Sequence, residues 1–245
     1  MGGLTVLSIL YIAMSYTAGA IFLIGTLYKV YGYASTPSPL KIPITPQPTT
    51  FSGVVAENAL NIGLFSSLFK GNRWTWVGGY GLHVILLLIL LRHLRFFLEP
   101  VTGIVLFSQW FGMWAGYLFP LPLLYLLVRR GAVDRVKYIT SVADSFFLLL
   151  LLAIGLSGIS LKLLTHTDLI AIKQFLLGLI LFSPVNIPPY PFFLLHFTLV
   201  LTLAVYFPFS KLLHAGGVFF SPTKTQIDNP REIKHINPWS PDNGI

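Results

Sequence analysis

The sequence predicts an all-α integral membrane protein with five transmembrane helices. Its 245 residues are 55% hydrophobic and only 10% charged, and the mean hydropathy is +0.76. A soluble domain has about 25% charged residues, so this composition excludes an ordinary soluble enzyme. Five apolar segments are long enough to cross a bilayer, which takes roughly 20 residues. They are Leu4–Tyr31, Trp76–Leu98, Val101–Val128, Ala143–Leu164 and Pro191–Leu213.

The first apolar segment begins close to the N-terminus. From Leu4 to about Tyr28 it is longer than the apolar part of a signal peptide, and no basic residue precedes it. We therefore expect a first membrane helix there and not a cleavable signal.

A sixth apolar run, Leu169–Phe182, is about 14 residues long, which is too short for a span. It ends in the proline-rich stretch Ser183–Pro191. We expect an interfacial or a re-entrant helix, and the sequence leaves both open.

Three polar stretches complete the chain. Ser35–Ser52 is rich in Pro, Ser and Thr and predicts an irregular loop, whereas Glu57–Phe69 predicts a short amphipathic surface helix. The stretch Ser221–Ile245 contains four prolines, and we expect its order to depend on a partner protein. The predicted organisation is a membrane domain over residues 1–218, with a cytoplasmic loop at 34–75, and an extended tail over 219–245 that contacts a partner subunit.

The Lys and Arg residues predict the orientation, because cytoplasmic loops carry an excess of positive charge. Of the 16 basic residues, 12 lie on the side of the first loop and of the tail. This places the N-terminus outside and the C-terminus in the cytoplasm. The four basic residues of the opposite side are Arg92, Arg95, Lys162 and Lys173.

Two features of the composition exclude classes of chemistry and of partner. The chain has no cysteine, so it holds no disulfide and no cysteine-ligated iron–sulfur cluster. The net charge of +8 follows from basic residues that flank apolar runs and do not form a surface stripe. We therefore expect lipid, and not nucleic acid, around this chain.

Four histidines in apolar segments carry the functional prediction. His83 and His93 belong to the second segment, and His196 and His214 to the fifth. A histidine inside a bilayer is costly and indicates a functional site. Two helices with two histidines each are what bis-imidazole ligation of two b haems requires, and we expect the five helices to bundle around these two haems.

Antiparallel geometry predicts how the histidines pair. The second segment runs from the cytoplasm outward and the fifth runs back, so His93 and His196 form an outer pair and His83 and His214 an inner pair. One observation resists this arrangement. The ten positions from His83 to His93 rise about 15 Å, whereas the 18 from His196 to His214 would rise about 27 Å in a straight helix with both rings on one face. We expect Pro208 to kink the fifth helix, and tilt to absorb the rest.

A quinol site is predicted at the outer helix ends. Arg92, Arg95 and Lys162 lie there and could neutralise haem propionates and bind a quinone head group, or could simply reach toward the interface. His166, in the following loop, is either a proton-transfer group beside this site or a surface residue. Small residues in the spans either let helices approach closely or let a flat macrocycle lie against the backbone. They are Gly78, Gly79, Gly81, Gly112, Gly116, Gly155 and Gly158.

Other functions stay open at this point. A non-haem metal would want carboxylates or thiolates beside the histidines, which the spans scarcely offer. The chain could instead be a haem-free membrane anchor for a redox partner, which would have no Soret absorbance. It could also be a transporter with a histidine proton relay, which would show substrate flux and no redox spectrum.

Several segments resemble the membrane cytochrome b (gamma) subunit of respiratory nitrate reductases. They are similar above all to the membrane subunit of the Dsr complex of dissimilatory sulfur metabolism, which is related to the haem b subunit of heterodisulfide reductases. The segments that carry the likeness are the loop TPSPLKIP (residues 36–43), LRHLRFF (91–97), YFPFSKLLHAGGVFFSP (206–222) and HINPW (235–239).

The resemblance implies a function for the histidine pairs. It implies menaquinol oxidation, or its reverse, near an outer haem held by His93 and His196, and electron transfer to an inner haem of His83 and His214. The implied cytoplasmic partner is an iron–sulfur subunit similar to the catalytic subunit of heterodisulfide reductase. The resemblance also allows further membrane and extracytoplasmic cytochrome or iron–sulfur subunits, a tail longer than this one, and the cell membrane of a prokaryote as location.

Overall fold

The computed structural model describes residues 3–36, 43 and 45–235. The predicted irregular loop is therefore described only in part, and the end of the tail, including most of the HINPW segment, lies outside the described residues. Twelve α-helices occupy the part that is described. They are α1 (Val6–Ser35), α2 (Phe51–Gly63), α3 (Ser66–Gly71), α4 (Arg73–His93), α5 (Gly103–Leu118), α6 (Pro120–Ala132), α7 (Asp134–Ile139), α8 (Val142–Leu163), α9 (Leu169–Ile180), α10 (Pro191–Tyr206), α11 (His214–Gly217) and α12 (Pro222–Thr225).

Five stretches of helix are long and apolar enough to span a membrane, as the sequence predicts. The prediction of an all-α chain with five spans is therefore confirmed. Four of them lie within a few residues of the predicted bounds. They are Val6–Ser35, Arg73–Phe96, Gly103–Ala132 and Val142–Leu163.

The fifth span is shorter than predicted. It covers Pro191–Phe209, and α10 ends at Tyr206 in a 3₁₀ turn that contains Pro208. Ser210 is extended (φ −111°, ψ 170°), and a second 3₁₀ turn leads to His214 at the start of α11. Pro208 has no N–H to continue the helix, and the extended Ser210 ends it. The expectation of one kinked helix through Leu213, with His196 and His214 on one face, is wrong.

Pro120 interrupts the third span between α5 and α6. It occupies the first position of α6, where its missing N–H costs no helical hydrogen bond. Phe119 and Leu123 beside it belong to the central apolar core, together with Leu82 of α4 and Leu148 and Leu151 of α8. The core therefore joins the second, third and fourth spans.

The predicted amphipathic helix near Glu57–Phe69 forms as two helices, α2 and α3. Phe65 separates them in a left-handed conformation (φ 52°). The described part of the tail packs onto this region: α12 contacts α2, the Asn58 side chain donates to Lys224 O (2.6 Å), and Asp228 N donates to Pro48 O (3.1 Å). We call this side of the bundle the tail end.

The short helix α9 lies at the opposite end of the bundle, which we call the α9 end. Its Ile172 and Phe175 form a second apolar core with Ile187 and Phe193, at the start of α10. The first turn of α1 closes this core, because Ser8, fully buried, accepts from Ile187 N (3.0 Å). The 12 residues of α9 would rise about 18 Å, so it is shorter than a span, as predicted.

Close helix approach explains three of the seven small residues in the spans. A Cβ on Gly78 would lie 2.6 Å from the Tyr125 ring, one on Gly112 would lie 2.7 Å from Leu88 O, and one on Gly155 would lie 2.8 Å from the Phe119 ring. Only Gly158 faces a histidine. Helix packing therefore accounts for Gly78, Gly112 and Gly155, whereas a Cβ on Gly81 or Gly116 would meet no atom within 4 Å.

Candidate functional site

The first pair of histidines lies toward the tail end. His83 projects from the middle of α4, and His214 begins α11 after the break in the fifth span. Their ring centroids are 6.0 Å apart, with an interplanar angle of 80°. Phe65, at the turn between α2 and α3, packs edge-on against the His83 ring with centroids 4.9 Å apart. The turn between α2 and α3 thus contacts one ring of this pair.

The second pair lies toward the α9 end. His93 is the last residue of α4, and His196 lies in the second turn of α10. Their ring centroids are 6.4 Å apart, and the rings are close to parallel, at 21°. Both side chains are half-buried, in contrast to the exposed rings of His83 and His214. The two pairs therefore differ in ring orientation and in burial.

Both centroid separations match the geometry of one metal between two imidazoles. A bond from a metal to an imidazole nitrogen is about 2.0–2.1 Å long. The centre of the ring lies roughly 1.1 Å behind the nitrogen, so opposed imidazoles on one ion have centroids about 6 Å apart. The observed values are 6.0 and 6.4 Å. Each pair could thus hold one iron without a large movement of either ring.

All four histidines form the same kind of hydrogen bond through Nδ1. In each, Nδ1 lies within hydrogen-bond distance of an oxygen. Nδ1 of His83 donates to Gly79 O (2.7 Å), and Nδ1 of His93 to Ile89 O (2.8 Å). The partner of His214 is Lys211 O (2.7 Å).

His196 follows the same rule with partners on another helix, the Ser157 hydroxyl (3.0 Å) and Ile154 O (3.1 Å). An Nδ1–H that donates to oxygen leaves the lone pair of Nε2 free, which is the arrangement of metal-bound histidines. The donor set, two neutral imidazoles per site and no thiolate, fits haem b.

Two of the four predicted quinol-site residues converge on Gln109 of α5. The Arg92 guanidinium donates to Gln109 O (2.7 Å), and that of Arg95 to Gln109 Oε1 (3.1 Å). Both residues flank His93 in the sequence. The structure therefore gathers positive charge beside the second histidine pair, and it adds an amide that the sequence analysis did not single out.

A cavity of about 270 Å³ opens next to this cluster. Polar groups reach it from three elements, namely Arg95 after α4, Gln109 on α5 and Lys173 on α9. The remaining lining residues are apolar, and they are Phe96, Val101, Leu106, Leu169 and Ile170. Lys173 also forms an ion pair with the exposed Glu99. Such a cavity, apolar with a few convergent donors, suits a small ring with polar substituents.

The other two predicted quinol-site residues do not line this cavity. The Lys162 ammonium lies over the Tyr117 ring, 5.1 Å from its centroid. His166 is exposed in the loop between α8 and α9. Lys173, which the sequence analysis used only for orientation, and Gln109 are the residues that it missed. The sequence signal that could have identified them is the presence of a polar residue, Gln109 or Lys173, within an otherwise apolar helix.

Comparison with known proteins assigns this chain to a family. The family model described as nitrate reductase gamma subunit matches residues 56–227. The chain belongs to the nitrate reductase gamma-subunit family. The resemblance seen in the sequence is thereby confirmed, and with its five apolar helices the chain is a multi-pass membrane protein.

Two curated relatives of this gamma-subunit family member carry the same name, Hdr-like menaquinol oxidoreductase cytochrome b-like subunit. The protein from Archaeoglobus fulgidus is 35% identical over 94% of this chain and 83% of its own length. The protein from Archaeoglobus profundus is 30% identical over 95% of this chain and 83% of its own length. The likeness therefore covers nearly all of the chain.

Proposed function

We propose that this chain is a dihaem cytochrome b subunit that transfers electrons between menaquinol and a cytoplasmic iron–sulfur subunit. The observation that carries the proposal is the arrangement of the histidines in two facing pairs, 6.0 and 6.4 Å apart, each with Nδ1 occupied. Haem b, when bound, supplies one-electron chemistry at its iron. The names of the two relatives support menaquinol as the substrate and an Hdr-like partner.

In this proposal the chain fixes two ligand pairs at two depths of the membrane. His93 and His196 hold the outer haem, and His83 and His214 hold the inner one. The hydrogen bonds at Nδ1 set the tautomer and restrict the ring orientation, so that Nε2 is the nitrogen left to bind iron. The outer pair is half-buried, so its rings are less accessible to water than those of the inner pair.

The cavity beside Arg95 is the proposed quinol site. Arg95 and Lys173 can donate hydrogen bonds to the oxygen atoms of a quinone head group, and the apolar lining accepts its ring. The Gln109 amide donates instead to Val105 O (2.9 Å) and Arg92 O (3.4 Å) and holds the two arginines in place. A volume of about 270 Å³ suits the head group, with the isoprenoid chain left in lipid. Arg92, held on Gln109, lies behind this site. Lys162 and His166 stay candidates for the approach to it.

The inner histidine pair lies on the side proposed for the iron–sulfur partner. At this end the described tail covers α2, and the segment after α10 carries His214 to the surface. The exposed ring of His214 shortens the path from the inner pair to a docked protein. Residues 219–245 form the proposed contact with that protein.

The test measures haem in the purified chain, expressed with its partner subunits, by the pyridine-haemochrome assay. We expect two haems b per chain. His93→Ala and His196→Ala should each remove the same haem and abolish reduction by menaquinol, because both rings bind one iron. His83→Ala and His214→Ala should each remove the other haem.

His166→Ala is the matched control, since this histidine is exposed and outside both pairs, and it should retain both haems. Absence of haem from the wild-type protein would reject the proposal in favour of a haem-free anchor. Removal of different haems by His93→Ala and His196→Ala would reject the pairing.

A further inference from the structure

One turn of α8 forms the surroundings of the His196 ring. Nδ1 of His196 lies 3.0 Å from the Ser157 hydroxyl and 3.1 Å from the carbonyl oxygen of Ile154. The next residue, Gly158, lies against the ring: a Cβ there would be 3.2 Å from Cε1 of His196. We call Ile154–Gly158 the α8 cradle. It presents two hydrogen-bond acceptors and a space without a side chain to one imidazole.

His196 is the exception among the four paired histidines. The other three donate from Nδ1 to a backbone carbonyl of their own segment, three or four residues earlier in the chain. Their orientation therefore follows from their own helix or turn. That of His196 depends on how α8 packs against α10, because both of its acceptors belong to α8.

The hydrogen bonds of Ser157 determine its role toward the imidazole. Its hydroxyl hydrogen is directed to Ile154 O, 2.9 Å away. The hydroxyl oxygen then has lone pairs that can only accept, and the donor that faces it is the Nδ1–H of His196. Ser157 is 5% exposed, so no bulk water competes for this contact.

An acceptor at Nδ1 changes the electronic character of the ligand. Partial withdrawal of the Nδ1 proton makes the ring more electron-rich and raises the basicity of Nε2. A more basic axial ligand stabilises the higher charge of ferric iron and so lowers the reduction potential. The cradle can therefore act on one haem and leave the other unaffected.

We propose that Ser157 is a positioning residue that, with Ile154 and Gly158, orients His196 and lowers the reduction potential of the outer haem. This inference rests on the proposed function, since it needs haem on the His93–His196 pair. It goes beyond ligation because it assigns to α8, which contributes no ligand, control over one of the two redox centres.

The experiment is a redox titration of the complex, with the two haems followed by visible spectroscopy. Ser157→Ala removes one acceptor, and the midpoint potential of the outer haem should rise while that of the inner haem stays unchanged. Repeating the titration in a His83→Ala background, which retains only the outer haem, assigns the shift. Ser160→Ala is the matched control, because the Ser160 hydroxyl donates to Leu156 O of its own helix (2.9 Å), and neither potential should change.

Two further variants keep the test informative if Ser157→Ala lowers haem content. Ser157→Cys keeps a group of similar size but is a weaker acceptor, so it should raise the same potential. Gly158→Ala leaves both acceptors and displaces the ring, so it should change the spectrum of the outer haem alone.

The proposal is overturned if the midpoint potential of the outer haem is the same in Ser157→Ala, Ser157→Cys and Ser160→Ala. It is equally overturned if the potentials of both haems shift together. A wild-type protein without a haem spectrum would reject the proposed function itself, which separates the two failures.

Discussion

The four paired histidines divide their two ring nitrogens between two tasks. Nδ1 donates to an oxygen of the protein in every case, which leaves the lone pair of Nε2 free to bind a metal. The sequence predicted which histidines matter, because an imidazole in an apolar span is costly. It did not predict Ser157 as a partner, since a serine beside a glycine in an apolar helix is common. That contact exists only through the packing of α8 on α10.

At the residue scale the proposed quinol site gives a sharp prediction. Lys173→Met should lower kcat/KM for a soluble menaquinol analogue by about ten- to a hundredfold, the loss of one hydrogen bond from a charged donor. Both haems and their potentials should stay unchanged. The measurement is steady-state reduction of the haems by the analogue.

The neighbouring Gln174→Ala is the control for Lys173→Met. Gln174 lies on the exposed side of α9 and does not line the cavity, so its kcat/KM should equal that of the wild type. Equal kinetics in both variants would remove Lys173 from the quinol site.

At the scale of elements, the end of α10 resolves the spacing problem of the histidines. The ten residues from His196 to Tyr206 rise about 15 Å, the same as the ten from His83 to His93 on α4. The regular helix then ends before Pro208 and Ser210. Because the His214 ring lies 6.0 Å from that of His83 and the His196 ring 6.4 Å from that of His93, the two pairs are separated by a similar length on both sides. Buried Pro208 packs against Gly25 of α1, where a Cβ would lie 2.7 Å from the proline Cβ.

The sequence predicts those features of the helices that depend on local properties and misses those that depend on tertiary contacts. Span length and hydropathy are local properties, so all five spans were predicted within a few residues except the end of the fifth. Pro208 indicated that the helix is disturbed there. Whether a helix kinks or ends at a proline depends on the residues that pack against the proline. Here Gly25 provides the space, and the sequence alone does not reveal that contact.

Helix α5 offers a matched pair of glycines for testing close packing. A Cβ on Gly112 would lie 2.6 Å from Arg92 Cβ and 2.7 Å from Leu88 O, whereas one on Gly116 would meet no atom within 4 Å. Gly112→Ala should therefore force α4 and α5 apart and cost about 1–3 kcal/mol, and Gly116→Ala should be tolerated.

Thermal unfolding in detergent micelles measures the difference between these two variants. Because Gly112 faces the residue before His93, its variant should also lose outer haem first. Equal melting temperatures for the two variants would contradict this account of the α4–α5 contact.

At the scale of the whole molecule, orientation decides which histidine pair lies on the side of the proposed partner subunit. The bundle separates its basic residues by end: Arg92, Arg95 and Lys173 cluster at the α9 end, and Arg129, Lys211 and others at the tail end. The excess at the tail end predicts that this end lies in the cytoplasm. Hydropathy predicted where the spans lie, but only charge distinguishes the two sides.

The lack of cysteine makes orientation directly testable. Ser183→Cys at the α9 end and Ser67→Cys at the tail end each introduce a single exposed thiol with little change in volume. A membrane-impermeant maleimide should label Ser183→Cys in intact cells and Ser67→Cys only after the cells are permeabilised. The reverse pattern would invert the proposed topology.

The separation of the two histidine pairs along α4 has an electrical consequence. About 15 Å is half of the hydrocarbon core, so an electron that passes from one pair to the other moves through about half of the membrane potential. A full crossing is worth about 2.3 kcal/mol per 100 mV, and this step alone therefore gains or loses roughly 1 kcal/mol per 100 mV. The position of two residues on one helix makes the rate and the equilibrium of the proposed transfer depend on the voltage across the membrane.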